Sequence, residues 1–490
     1  MKYTLLIGLS ACLTLPASAN SEYEAWLKQN TMDMNEAQQE FQDYMDANDK
    51  AFLGFLKQQW KEVDVKKPVV LDEKPKPVLL PSAPKPEPKP ITSKPVSEPI
   101  TVVTPKPIKP VTPKPKPQPQ PQPIMEQPKN TVDVKIFAHH VQIHEDQNLR
   151  LTFQGSMNSD SIADFYTQLA RHNHDQALSD LQTKAKELRL NPWGTAVLFH
   201  RYIQALGVTG HNAQQLTAWY LLVKAGFDAR VAYNQHAFLL MPSKQALYGV
   251  TYFTFAGTRY YAVSLDGKQL NTGRAYTYSG KHATAKNPLD FDNNQQLLPS
   301  SNIQNKQLSF KYQGQTHTLS LNYDLGQIEL ANTTPQLAIS QYAHEGLPEQ
   351  TANELLSQLA PMVKGKSEQD AVNLLLRFVQ TAFNYKTDAQ QFKQENYLYP
   401  VETLHYPYSD CEDRAALFAW LVKSLLDMDA VLLDYPGHIA AAVAFSDKVN
   451  GDSWMHNGKR YTVTDPTYIN ANLGMTMPTL KAYKPKILTF

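Results

Sequence analysis

Residues 409–414 read Ser-Asp-Cys-Glu-Asp-Arg, and the run that follows them to Leu426 is apolar on most faces. This pattern predicts a buried helix. Ser409 fits the N-cap, and Glu412, three residues later, fits the second member of a capping box. Cys411 would lie in the first turn, where the helix dipole and free backbone N–H groups stabilise a thiolate. The stretch therefore predicts a reactive cysteine at the start of a buried helix.

The first residues predict an export signal. A positive start at Met1-Lys2 precedes a short apolar run, and Ala17-Ser18-Ala19 fits a cleavage site, so residues 1–19 are assigned to a signal peptide. The periplasm is the expected compartment. Residues 9–12, Leu-Ser-Ala-Cys, resemble a bacterial lipobox, which makes a lipid anchor on Cys12 the alternative.

Cysteine usage supports a special role for Cys411. The chain has 2 cysteines, and cleavage after Ala19 removes Cys12, so no internal disulfide can form. A lone thiol in an oxidising compartment is a chemical liability. An inert buried cysteine is one explanation, and a nucleophile is the other.

Composition limits the remaining classes. The 490 residues allow two or three domains, and the net charge of +1 argues against a nucleic-acid partner. No later run has about 18 consecutive apolar residues, so we expect no transmembrane span in the mature chain.

Two segments precede the main body. Residues 20–65 have an amphipathic helical pattern, which predicts either a hairpin packed on itself or an element that docks to an unknown partner away from the body. Residues 66–130 consist of Lys-Pro, Glu-Pro and Gln-Pro repeats and predict a disordered, polyproline-like linker. A spacer is the favoured role of this linker, with a ligand for aromatic grooves as the alternative.

The remainder has an internal duplication. Residues 216–231, LTAWYLLVKAGFDARV, match residues 417–431, LFAWLVKSLLDMDAV, at an offset of 199. Helical patterns precede each copy, and β-rich sequence from Leu308 to Ser340 separates them. We therefore expect two related α+β domains, at 131–290 and 300–490.

Three strands follow the Cys411 helix in the second copy. Their patterns cover Ala430 to Leu433, a strand opened by His438, and Tyr461 to Thr464 before Asp465. Antiparallel pairing of His438 with Asp465 places both at one sheet end, with Val443 opposite Arg460. The dipeptide Asn457-Gly458 predicts an inserted hairpin that would alter this register without separating the two residues.

These positions predict a catalytic triad. Cys411 would attack an acyl carbonyl, His438 would take up the thiol proton, and Asp465 would fix the imidazole tautomer. The backbone N–H of Cys411 would donate to an oxyanion, with Tyr406 and Tyr408 as candidates for the second donor.

The residues resemble the transglutaminase-like superfamily of papain-like cysteine enzymes. The matching pieces are 410–415 (Asp-Cys-Glu-Asp-Arg-Ala), 437–438 (Gly-His) and 464–468 (Thr-Asp-Pro-Thr-Tyr). The resemblance implies a peptidase, amidase or cross-linking enzyme with a thioacyl intermediate, acting on proteins or peptides such as those of the cell wall. Ser409 and Ile439 depart from the glycine and the aromatic residue of many members. Some exported members need calcium, but we expect no cofactor or metal here, because the helix dipole accounts for Glu412 and Asp413.

The first copy lacks a nucleophile. Asn212 stands at the position of Cys411, and His236 and Asp266 lie near the positions of His438 and Asp465. This predicts a degenerate domain in which His236 and Asp266 form a hydrogen-bonded pair at the sheet end. It also leaves a second function open, a non-catalytic periplasmic scaffold that uses both domains as binding modules.

Overall fold

The computed structural model describes residues 47–63, 66–69, 130–267, 270, 272–292 and 296–490. These residues form a mixed fold of helices and strands, in agreement with the predicted class. The predicted signal peptide, Cys12, the first part of the N-terminal segment and most of the proline-rich linker lie outside the described residues.

The N-terminal unit combines helices with a six-stranded sheet of order β1-β8-β4-β5-β7-β6 and a separate hairpin of β2 and β3. Its elements are α1 (47–56), β1 (Lys61–Val63), β2 (Thr131–Ile136), β3 (His139–His144), α2 (Ser159–Ala170), α3 (Asp175–Glu187), α4 (Pro192–Ala205), α5 (His211–Lys224), β4 (Arg230–Tyr233), β5 (Ala237–Pro242), β6 (Tyr252–Phe255), β7 (Thr258–Val263) and β8 (Ala275–Thr277).

The C-terminal unit has a five-stranded sheet of order β15-β16-β14-β13-β17. Within the described residues of both units, no helix is both long and apolar enough to cross a membrane. The elements of this unit are β9 (Ile303–Tyr312), β10 (Gln315–Asp324), α6 (Leu325–Thr333), α7 (Ile339–Glu345), α8 (Glu349–Val363), α9 (Glu368–Ala382), β11 (Asn384–Tyr385), α10 (Asp388–Gln391), α11 (Pro400–His405), β12 (Tyr408–Ser409), α12 (Cys411–Leu426), β13 (Ala430–Tyr435), β14 (His438–Ala444), β15 (Ser453–His456), β16 (Lys459–Thr464) and β17 (Lys486–Leu488).

Helix α12 is the centre of the C-terminal unit. It is buried along most of its length because apolar residues occupy nearly every face. One face of the sheet, including Ile439 and Val443, packs in the same core as this helix. The opposite face packs under the C-terminal segment through residues such as Tyr468 and Leu480. The sheet therefore lies between α12 on one face and the C-terminal segment on the other.

The strands after α12 confirm the predicted order but not the predicted register. Val443 pairs with Thr462 rather than Arg460, a shift of two residues. The hairpin predicted at Asn457-Gly458 is present as β15 and β16, and both turn residues have positive φ. A shift of two keeps every side chain on its face, so His438 and Asp465 still meet at one sheet end.

The β-rich stretch expected from Leu308 to Ser340 is only partly strand. Beyond Asp324 the chain is helical, so this part of the prediction is wrong. The physical reason is an N-cap, because the Asp324 carboxylate accepts the backbone N–H of Gly326 at 2.7 Å.

The end of the N-terminal segment belongs to the N-terminal unit. Strand β1 pairs with β8, and Phe52, Leu56 and Trp60 are buried in the main core. The buried carboxylate of Asp49 accepts hydrogen bonds from Tyr166 and Lys224, each at 2.8 Å. The interpretation of an element held away from the body is therefore wrong for residues 47–63.

The described residues at the two ends of the proline-rich stretch, Val69 and Asn130, both bind to the N-terminal unit. Before it, the Val69 carbonyl accepts Gly249 N–H, and after it the Asn130 carbonyl accepts Glu145 N–H. Since both ends are attached to one unit, the stretch does not separate the residues before it from the body. The spacer interpretation loses its basis for this reason.

The two units share one continuous core. Trp193 Nε1 donates to Thr333 Oγ1 at 3.2 Å, and Ala138 N–H donates to Glu329 at 3.0 Å. Gly326 is required at this contact because a Cβ there would lie 2.4 Å from the Phe137 carbonyl oxygen.

Trp60 tests the attachment of residues 47–63. Its side chain is 5% exposed and contacts Tyr233 and Tyr278, with ring centroids 5.3 Å apart in each case. We expect Trp60→Ala to lower the free energy of unfolding by about 3–5 kcal/mol, the usual cost of truncating a buried aromatic residue. The exposed Lys57→Ala on the same segment is the control for urea denaturation. Equal midpoints for the two variants would show that this segment does not stabilise the unit.

Candidate active site

Cys411 is the first residue of α12, as the sequence predicted, but the cap differs by one residue. Asp410 is the N-cap, and its backbone N–H donates to Asp413 Oδ2 at 3.2 Å. Ser409 lies in β12, where its hydroxyl accepts Arg414 Nε. The predicted Ser409–Glu412 box is wrong because Glu412 accepts the Cys411 thiol instead of reaching back.

The structure brings the three predicted site residues together at one end of the sheet. His438 Nε2 lies 2.9 Å from Asp465 Oδ2. The backbone N–H of Ile439, next to His438, donates to Cys411 Sγ at 3.5 Å. Cys411, His438 and Asp465 are 1%, 5% and 1% exposed. The start of α12, the start of β14 and the residue after β16 thus lie together in one buried site.

Asp465 is fixed on both sides of its carboxylate. Oδ1 accepts the backbone N–H groups of Thr467 and Tyr468, at 2.9 and 3.2 Å, which leaves Oδ2 for His438. An aspartate held in this way orients the imidazole and favours one tautomer.

Gln380 is a supporting residue that the sequence analysis missed. Its buried Nε2 donates to the carbonyls of Asp465, Tyr468 and Ala471, at 3.1, 2.8 and 3.0 Å. One amide on α9 therefore holds the loop that begins at the site aspartate. Nothing local in the sequence around Gln380 indicates this role.

Four carboxyl groups are buried beside the thiol. We call Asp388, Asp410, Glu412 and Asp413 the acidic cluster. Burial, reinforced by the negative charge of the other members, raises the pKa of all four carboxyl groups, that of Glu412 to about 8. Asp388 lies 22 residues before Asp410 and is brought in by its own N–H, which donates to Asp410 Oδ2.

The acidic cluster changes the state of Cys411. Burial, Glu412 and Asp410 raise the pKa of the thiol well above its ordinary value. The thiol donates to Glu412 Oε2 at 2.9 Å. The thiolate expected from the helix dipole is therefore not favoured in this arrangement, chiefly because the thiol is buried and also because Glu412 and Asp410 are next to it.

Arg414 makes no hydrogen bond to the acidic cluster, although its charge attracts Asp410 and Asp413. Its buried guanidinium donates to Ser409 Oγ and to the carbonyls of Gln380 and Phe383. Among the described residues, no lysine, arginine or histidine forms an ion pair with a member of the cluster. The buried negative charge thus calls for bound protons or a cation.

Three members of the acidic cluster are suitable ligands for a divalent cation. One oxygen each from Asp388, Asp410 and Glu412 lie within 4.8 Å of one another. Calcium takes oxygen ligands at about 2.4 Å, so ligands on opposite sides lie about 4.8 Å apart. Asp410 Oδ1 and Glu412 Oε1 are buried and have no hydrogen-bond partner in the described part of the chain. These three carboxylates could hold calcium, which the sequence analysis did not expect.

The tyrosines suggested as oxyanion donors have other contacts. The Tyr406 hydroxyl donates to Asn332 Oδ1 at 2.8 Å, and the Tyr408 ring lies 3.8 Å from Lys386 Nζ. Neither contact favours a role at Cys411. The backbone N–H of Cys411 at the helix start remains the predicted donor.

The N-terminal unit has a matching geometry without a thiol. Asn212 Oδ1 accepts the N–H of Ala237 at 3.1 Å, as Cys411 Sγ accepts that of Ile439. The predicted His236–Asp266 pair is wrong, because His236 is exposed and its ring contacts His211, while Asp266 accepts Ser264 Oγ. No protein-family model, curated protein or solved structure matches this chain.

Calcium binding is tested by thermal unfolding. We expect calcium to raise the Tm of the protein relative to EDTA, because a ligand at 100 times its Kd stabilises the folded state by about 2.7 kcal/mol. Asp388→Asn should lose most of this shift, and the exposed Asp447→Asn should keep it. Identical Tm values in calcium and EDTA would contradict the site.

Proposed function

We propose that Cys411, His438 and Asp465 are the catalytic triad of a thiol hydrolase or acyltransferase with a papain-like, transglutaminase-like domain. The observation that carries the proposal is the buried contact of His438 with Asp465, 2.9 Å long, one residue from the N–H that binds Cys411 Sγ. Substrates are proteins or peptides met after export, cell-wall peptides among them.

The first half-reaction forms a thioester. Asp465 holds Nε2 of His438, which leaves Nδ1 to take the proton of the Cys411 thiol. Sγ then bonds to the acyl carbon, and the oxyanion receives the N–H of Cys411. The imidazolium gives its proton to the leaving amine as the carbon–nitrogen bond breaks.

The second half-reaction releases the acyl group. Water, in a hydrolase, or an amine, in an acyltransferase, gives a proton to His438 and bonds to the acyl carbon. The carbon–sulfur bond breaks, and Sγ takes the proton back. A cation on Asp388, Asp410 and Glu412 would offset the negative charge that raises the pKa of the thiol.

The N-terminal unit is a degenerate copy of the catalytic unit. Four strands follow α5 along the chain and lie in the sheet in the order β4-β5-β7-β6. The four strands that follow α12 have the same spatial order, β13-β14-β16-β15. The equivalent hydrogen bonds to Asn212 and Cys411 support this relation. An amide cannot serve as the nucleophile, so the role of this unit is support or substrate binding.

A non-catalytic scaffold is the second candidate. The observation that favours it is the thiol itself, which is 1% exposed and donates to a carboxylate that raises its pKa. An inert structural cysteine has these properties.

Iodoacetamide alkylation at neutral pH separates the two functions. In calcium, we expect alkylation of Cys411 at least tenfold faster than that of a free thiol, because His438 takes its proton. His438→Ala should remove the advantage, and Asp447→Asn, an exposed acidic change, should keep it. Cys411→Ala is the blank.

Slow alkylation in both calcium and EDTA, unchanged in His438→Ala, would reject the catalytic proposal and favour the scaffold. Protein unfolded in urea gives the rate of the fully accessible thiol. If alkylation is slow in the native protein and rises to the rate of an accessible thiol in urea, Cys411 is a buried cysteine without activation.

A further inference from the structure

A concave site lies beside α9, and none of its lining residues belongs to the acidic cluster. It is a cleft of about 840 Å³ between the tip of the β9–β10 hairpin, α9 and the loop that follows Asp465. This volume is within the range of ligand sites, roughly 300–1,000 Å³, and is large enough for a short peptide. Polar side chains line it at Tyr312, Asn373, Arg377, Asn470 and Asn472.

Arg377 is the chemically distinctive residue of this cleft. Its half-buried guanidinium donates to Asn470 Oδ1 at 2.8 Å, to the Asn470 carbonyl at 3.3 Å and to Asn472 Oδ1 at 3.4 Å. All three acceptors are neutral, and no carboxylate in the described residues pairs with Arg377. Burial lowers the pKa of Arg377, and the neighbouring Tyr312 offsets this only in part.

The surrounding charges leave the cleft positive. Lys311 on β9 also lines it and is exposed, without an ion pair in the described part of the chain. Asp370 is the one acidic residue of the lining, and its carboxylate accepts the Ser367 hydroxyl. The lining of the cleft thus includes two cationic residues and one acidic residue.

The cleft is held in shape by the loop of the candidate active site. Asn373, Arg377 and Gln380 lie on one face of α9, and all three bind the 465–473 loop, Asn373 by accepting Leu473 N–H. Asn470 adopts a left-handed conformation, with φ of 66°, which turns its backbone carbonyl and side chain towards Arg377. The donors of Arg377 are therefore fixed before a ligand binds, which reduces the entropy cost of binding.

We propose that this cleft binds an acidic peptide, with Arg377 and Lys311 receiving its carboxylates. Arginine is suited to this role because its planar guanidinium donates several N–H groups to a carboxylate, and three of its five are used here. The surrounding asparagine side chains add donors and acceptors for a peptide backbone. The cleft does not depend on the chemistry proposed for Cys411.

The test is calorimetric titration of the full chain carrying Cys411→Ala, which binds without turnover. The first probe is a blocked pentapeptide with one aspartate and one glutamate side chain. The second replaces them by asparagine and glutamine, and the third is the neutral peptide with a free C-terminal carboxylate. We expect the blocked acidic peptide to bind at least tenfold more tightly than its blocked neutral counterpart, and its affinity to fall as salt rises. Tight binding of the third peptide alone would identify the chain terminus, not acidic side chains, as the source of the carboxylate.

Variants assign the binding to this cleft. Arg377→Gln should remove the preference for acidic peptides, and Lys311→Gln should weaken it by several-fold. Because Lys311 is exposed on a strand, its variant keeps the fold even if Arg377→Gln disturbs the loop. Lys484→Gln, an exposed lysine outside the cleft lining, is the control for a general loss of charge. Equal affinity for all three peptides, or an acidic preference unchanged in both cleft variants, would overturn the proposal.

Discussion

Four carboxyl groups buried beside a thiol are the constraint on which the C-terminal unit depends. Asp388, Asp410, Glu412 and Asp413 cannot all ionise in a dry interior without a compensating charge. Arg414 is buried close by in sequence, but its donors go to a hydroxyl and to backbone carbonyls. The arrangement therefore sets the state of Cys411, since the same carboxylates that surround it hold its proton in place.

The rest of the site is built to hold this helix start rigidly. The Asp413 carboxylate accepts the backbone N–H of Asp410, the N-cap of α12, and also that of Leu398. The chain just before α11 therefore contacts the acidic cluster. On the other side, Gln380 organises the loop after Asp465 through three backbone carbonyls. One polar face of α9 thus supports both the loop that begins at Asp465 and one wall of the cleft beside α9. A conformational change in the 465–473 loop would therefore alter both the candidate active site and the cleft.

Local features of the site were predictable from sequence. The start of α12 at Cys411, the start of a strand at His438 and the Asn457-Gly458 hairpin follow from patterns within a few residues. The N-cap was misassigned because Ser409 and Asp410 both suit a cap, and only the direction of Glu412 decides between them. The register was off by two because a pairing inferred from two endpoints does not place the hairpin between them.

Long-range features were not predictable. Asp388 contacts Asp410, 22 residues later, and Gln380 contacts Asp465, 85 residues later, with no periodic pattern to indicate either contact. The attachment of residues 47–63 was missed because a proline-rich composition describes the stretch itself and not where its ends lie. The raised pKa of the Cys411 thiol was missed because burial, its main cause, is a tertiary property, and because the effect of the adjacent Glu412 and Asp410 depends on their being buried with it.

We propose that Cys411 forms a covalent acyl intermediate with the help of His438. The direct measurement is intact mass spectrometry of the protein quenched in acid after brief exposure to p-nitrophenyl acetate in calcium. We expect one acetyl group on Cys411, which should be absent in Cys411→Ala and strongly reduced in His438→Ala. Equal acetylation of the protein and of Cys411→Ala would contradict it, because the acetyl group would then lie on other nucleophiles.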